Sequence, residues 1–314
     1  MDPAYSVILF TSSSGAGYGL LIWLALARLT GAWELGPVTA LVACLAGLVL
    51  VTIGLLSSTF HLGHPERAWR AMTQWQSSWL SREGVLAVFV FPFALVFTAG
   101  WIWPAIPSGL ATAAAAGTLL LALATVYSTG MIYASLKTIP RWHNPLVVPV
   151  YLAFSLASGG LMFSLALAAS GEAHLPSLAV LLAVLAISWG IKARYWSEID
   201  GQAHESDTGT ATGLGHLGEV RQLEAPHTSE NYLLKEMGFQ VARKHAAKLR
   251  KLALALGLLV PAVLLIVSGF LGGGAQLALL VLALAAGLTG VVIERWLFFA
   301  EARHLVTLFY GRSL

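Results

Sequence analysis

Apolar residues dominate eight stretches of the chain: Ser6–Ala27, Val38–Phe60, Val85–Trp103, Leu110–Tyr133, Val147–Ala169, Leu175–Trp196, Leu252–Leu271 and Gln276–Phe299. Each is long enough to cross the hydrocarbon core as a helix, which takes about 20 residues. The strands of a membrane barrel would instead be shorter and alternate apolar with polar residues. The pattern predicts an all-α integral membrane protein, a single membrane domain over 1–314 with eight transmembrane helices. Four connections are short (28–37, 104–109, 170–174 and 272–275) and three are longer (61–84, 134–146 and 197–251). With an even number of spans, both ends and the longer connections share one face.

Composition narrows the class further. Of 314 residues 57% are hydrophobic and 11% charged, whereas about a quarter are charged in a soluble domain. A soluble globular enzyme and a disordered chain are both excluded. The one cysteine, Cys44, makes no internal disulfide and is too few to hold an iron–sulfur cluster or a structural zinc. The start, Met1-Asp2-Pro3, lacks the basic region and cleavage site of a secretory signal, so the first apolar run is expected to be a retained span.

Charge placement gives the orientation. Arg28 is the one Lys or Arg on the short-loop face, and the other 17 of the 18 lie on or near the long-loop face. By the positive-inside rule that face, with both termini, is cytoplasmic; a basic face also suits an acidic docking partner.

The connection 197–251 is the one sizeable polar segment, and it carries over half of the acidic residues. Gly209-Thr210-Ala211-Thr212-Gly213-Leu214-Gly215 resembles a phosphate loop only superficially, because no Lys-Ser/Thr follows; a turn is expected. A helix is predicted from Ser229 as N-cap, with acidic residues first and basic residues last, running into the seventh span. A loop this long is usually functional or docked, and it is expected to be a partner-docking insertion. The small residues from Thr11 to Gly17 in the first span predict close helix packing.

Candidate chemistry is concentrated in 57–83. The span interiors look almost free of ionisable residues, which argues against an ion-driven small-solute transporter, and no His lies deep within a span for a haem between helices; His61 and His304, near one face, leave a single shallow haem as an open alternative. His61, His64, Arg67, Arg70, Arg82, Glu66 and Glu83 crowd one connection together with Trp69, Trp75 and Trp79. Gly63 and Pro65 end the helix there, and the Trp residues suit the interface belt. An ordinary basic interfacial loop explains most of this, and a purely structural anchor is the plainest reading. It gives no reason for His61 at the end of the second span and Glu83 at the mouth of the third to share one depth. A His and a carboxylate placed so exchange protons readily, which suits a quinone.

The run HLGHPERAWR at 61–70, SSWLSREG at 77–84, MIYASLKTIPRWHNPLV at 131–147 and the stretch 215–250 resemble the membrane-anchor family of dimethyl sulfoxide reductase. The resemblance implies an eight-helix anchor that holds a molybdopterin catalytic subunit and a ferredoxin-like iron–sulfur subunit. It implies that the anchor exchanges electrons between those clusters and a membrane quinone (ubiquinone or menaquinone), with no haem, iron–sulfur or molybdenum of its own and no nucleic-acid partner. The family's quinone-site positions fall on His61, Arg67 and Glu83, flanked by Gly63 and His64, with His61 and Glu83 in the proton-handling role. In the dimethyl sulfoxide reductase branch the catalytic module is exported and the quinol is oxidised. The cytoplasmic basic face and the long insertion resemble instead the branch of quinone-reducing sulfite dehydrogenase, in the bacterial cytoplasmic membrane. Quinone type, oligomeric state and the partner's substrate are not legible in the residues.

Overall fold

The structure, a computed structural model, describes residues 4–62, 64–201, 206–221, 223–224 and 241–310, with backbone only for His61, 241–244 and Tyr310. Eight helical segments are long and apolar enough to cross a membrane, and no strand occurs among the described residues. The spans begin with α1 (Tyr5–Thr30), α2 (Pro37–Ser57), α3 (Trp79–Ile102), α4 (Ser108–Ala134), α5 (Val147–Ala169) and α6 (Leu175–Gly201). A short helix, α7 (Thr208–Thr212), precedes the seventh span. That span is built from α8 (Val241–Leu254), a π-turn at Ala255–Leu259 and α9 (Val260–Ser268); α10 (Gly273–Ala300) is the eighth.

The helix ends follow local chemistry. Gly31 adopts the left-handed conformation that closes α1 (φ 65°), and Pro37 starts α2 where no N–H is needed. Ser78 caps α3 by accepting from the Ser81 N–H at 3.4 Å, so α3 starts six residues before the predicted Val85. The π-turn lies just before Pro261, whose ring cannot fit a regular helical ladder. The Gly-rich stretch at 209–215 forms α7, with Asp207 and Thr210 in a reciprocal capping box, not a phosphate cradle. The predicted helix start at Ser229 lies outside the described residues; α8 does continue into the seventh span.

Two spans form the core. In their most apolar windows α1 is 78% and α5 67% buried within the protein, while the other spans range from 28% to 39% and give most of their surface to lipid. Close approach of the two central helices depends on glycine. A Cβ on Gly19 would sit 1.8 Å from the Ser155 carbonyl oxygen, and one on Gly159 would meet the Gly19 backbone at 2.1 Å. The Ser155 hydroxyl also donates to the Gly15 carbonyl at 2.7 Å.

The ends and the longer connections meet at one face. Ser57, at the end of α2, donates to the carbonyl of Ser6 at 3.1 Å. The connection after α4 folds over the bundle, where the Trp142 Nε1–H donates to the Phe298 carbonyl (3.0 Å) and the Tyr195 hydroxyl to the Arg141 carbonyl (2.9 Å). The Leu305 N–H closes the same region by donating to the Thr138 carbonyl at 3.0 Å.

Candidate functional site

The connection between α2 and α3 is an exposed rim. After α2 the chain makes one 3₁₀ turn, Ser58–His61, and then a second 3₁₀ segment, Pro65–Gln74, in which no residue is buried. Gly63 lies outside the described residues, and only the backbone of His61 is described, at the end of the first turn. His64 and Arg67 both face Glu66, at 3.0 and 3.6 Å, with more than half of each of these side chains exposed. Arg82 ties the rim to α3: its Nε and Nη2 donate to the carbonyls of Trp75 (2.9 Å) and Gln76 (2.6 Å), and its guanidinium lies 4.2 Å above the Trp79 ring.

Glu83 stands apart from this rim. The sequence placed it at the mouth of the third span with Arg67 beside it. The structure puts it in the second turn of α3, 3% exposed, where it accepts a hydrogen bond from the hydroxyl of Thr129 on α4. The cause is the Ser78 cap. Starting the helix early draws Glu83 into the bundle, while Arg67 stays on the rim with Glu66.

The expectation that the span interiors are almost free of ionisable groups needs correction. Lys192 on α6 and Glu294 on α10 are both fully buried and ion-paired at 2.5 Å, and Arg295, 2% exposed, pairs with Glu294 at 2.9 Å. The Arg295 guanidinium also lies 4.0 Å above the ring of Tyr151. A carboxylate between two cations is a satisfied arrangement in a medium where an isolated charge is prohibitive. Sequence reasoning missed it because these residues lie near the span ends and counted as part of the basic face. The available signal was the Glu294-Arg295 dipeptide inside an apolar run, with Lys192 inside another.

Nearer the surface, Glu301 pairs with Arg250 at 2.8 Å and Arg141 at 3.9 Å, and Arg250 pairs with Asp200 at 2.5 Å. Among the described residues no group of three or more His, Cys, Asp or Glu side chains is arranged to hold a metal ion.

A family model described as "DMSO reductase anchor subunit (DmsC)" matches residues 1–312. The C subunit of sulfite dehydrogenase from Allochromatium vinosum is 34% identical over 332 aligned positions, covering 99% of both proteins. The C component of anaerobic dimethyl sulfoxide reductase from Escherichia coli is 29% identical over 160 positions, about half of each protein. Its namesake from Haemophilus influenzae is 31% identical over 46% of the present sequence and 54% of its own.

Proposed function

Because the protein belongs to the DMSO reductase anchor subunit family, and is thus a multi-pass membrane anchor of a dimethyl sulfoxide reductase- or sulfite dehydrogenase-type complex, we propose that it is the quinone-reactive anchor of a sulfite-oxidising complex. Its partners are a molybdopterin catalytic subunit, where sulfite is oxidised, and an iron–sulfur subunit that delivers electrons to this anchor. The observation that carries the branch is end-to-end similarity to a sulfite dehydrogenase subunit, against half-length matches to the dimethyl sulfoxide reductase components. The basic long-loop face supports a cytoplasmic docking side in a bacterial inner membrane.

Glu83 supports the quinone reading. A structural anchor gains nothing from a carboxyl group buried in α3, one turn from the exposed rim, with a single hydroxyl donor for company. Reducing a quinone takes two electrons from the partner's clusters and two protons at its oxygens. A buried carboxyl near the membrane interface can donate one and be reprotonated. His61 is assigned the other carbonyl, and the rim with Trp69 and Trp75 the membrane interface.

In the intact complex His61→Ala and Glu83→Gln should each lower quinone-linked turnover by about 100-fold or more, with assembly and activity toward a soluble electron acceptor retained. Near-normal quinone turnover in both would overturn the site. Reporter fusions at His216 and Phe309 should report cytoplasm and one at Glu172 periplasm; the reverse would favour an exported reductase module.

A further inference from the structure

Five buried polar atoms face one interior space and lack a hydrogen-bond partner among the described residues. The space is a small cavity of about 20 Å³, room for about one ordered water, between α1, α4, α5 and α10, lined among others by Ser12, Tyr18, Thr129, Tyr151 and Arg295. Ser12 Oγ, Tyr18 Oη, Tyr151 Oη and both Nη atoms of Arg295 are the unpartnered atoms. Buried polar atoms are almost always partnered, and cavities whose walls offer several polar atoms hold ordered water. The neighbouring hydroxyls of Thr11 and Ser14 bond back to carbonyls of their own helix, at 3.0 and 2.6 Å, which leaves the five atoms facing the space.

The two sides of this cavity carry the protein's buried acids. On one side Thr129 lines the cavity and donates to Glu83. On the other, Arg295 lines it and pairs with Glu294, which pairs with Lys192. Glu301 follows Glu294 by seven residues, as the residue that ends α10, about 10 Å further along. It joins Arg250 and, through it, Asp200, whose side chain is half exposed. Buried polar groups thus extend in two clusters, one from Glu83 to Lys192 and one from Glu301 to Asp200, toward the face where the 197–251 insertion leaves the bundle.

We propose that this cavity binds water and is the path by which protons from the long-loop face reach Glu83. The inference rests on the quinone reading of Glu83. Glu83 gives its proton to the reduced quinone oxygen, the electrons having come from the partner's iron–sulfur centre, and its carboxylate regains a proton through the Thr129 hydroxyl and the water bound in the cavity. Arg295, held by Glu294 and Tyr151, keeps its charge throughout and turns its Nη groups toward the water. Glu294 and Lys192 form the acid–base pair at the far end.

Two measurements on the purified complex test it. Under pulsed hydroxyl-radical footprinting, Tyr18 and Tyr151 should be modified despite their burial, because bound water is the source of the radical; protection equal to that of buried Phe163 would overturn the cavity as a water site. In kinetics, Ser12→Ala, Tyr18→Phe and Tyr151→Phe each remove one hydroxyl from the cavity wall and leave the packing in place, so a purely packing role predicts little change in turnover. The proposal expects quinone-linked turnover to fall about tenfold or more, with an increased solvent deuterium isotope effect. Affinity for a quinone-analogue inhibitor and soluble-acceptor activity should be unchanged. Normal turnover in all three, with Glu83→Gln slow, overturns the route and leaves the quinone site standing. Normal turnover in Glu83→Gln overturns the quinone reading itself, and with it the terminus of the route, whatever the footprint shows.

Discussion

The rim between α2 and α3 and the ionic layer beneath the opposite side of the same face use similar residues to different ends. On the rim, His64, Glu66 and Arg67 sit in or near water, more than half exposed. In the layer, Lys192, Glu294 and Arg295 have lost solvent almost entirely and are held by one another and by the rings of Tyr195 and Tyr151. Exposed pairs are screened and contribute little to stability. The buried triad is indispensable once formed, because removing one member strands the others. Charge count therefore says little about which end of this face supports the fold.

The largest stability effect should come from Glu294→Gln, which leaves Lys192 and Arg295 buried without a counter-ion. We expect a loss of about 3–5 kcal/mol, seen as poor accumulation in membranes and a lower melting temperature in detergent. A wild-type melting curve would show that the layer is hydrated well enough to count as surface. Gly19→Ala tests whether the glycine contact between α1 and α5 matters on the same scale. Its methyl would collide with the Ser155 carbonyl, and overpacking of this kind costs about 1–3 kcal/mol. At the lower end, the double variant Glu66→Ala/Arg67→Ala should change stability by less than about 1 kcal/mol. A larger loss would mean that the rim is structural and would erase the contrast.

Eight spans, the long-loop face and the family were legible in the residues, because bilayer thickness imposes a simple length rule. The expected bounds of α5 coincide with the observed ones. The start of α3 was misplaced because a serine cap depends on which of three serines, Ser77, Ser78 or Ser81, turns its hydroxyl to the backbone, and hydropathy does not choose among them. That error put Glu83 at the water interface instead of inside. Thr129, Tyr18 and Tyr151 were invisible as site residues because each is ordinary in a membrane helix and gains meaning only from its neighbours on other helices. The serines of α1 had the opposite fate. Expected to serve packing, they divide the labour: Ser13 and Ser14 crowd against Gly54 of α2, while Ser12 and Ser14 line the cavity.

The bridge from Arg250 to Asp200 joins residues fifty positions apart, and so it staples together the two roots of the insertion where they leave the membrane. A segment whose ends are already held together has paid its closure entropy at the base. Lengthening it then adds only about 0.6 kcal/mol for each doubling. Its length and sequence can drift at little cost to the helices beneath it.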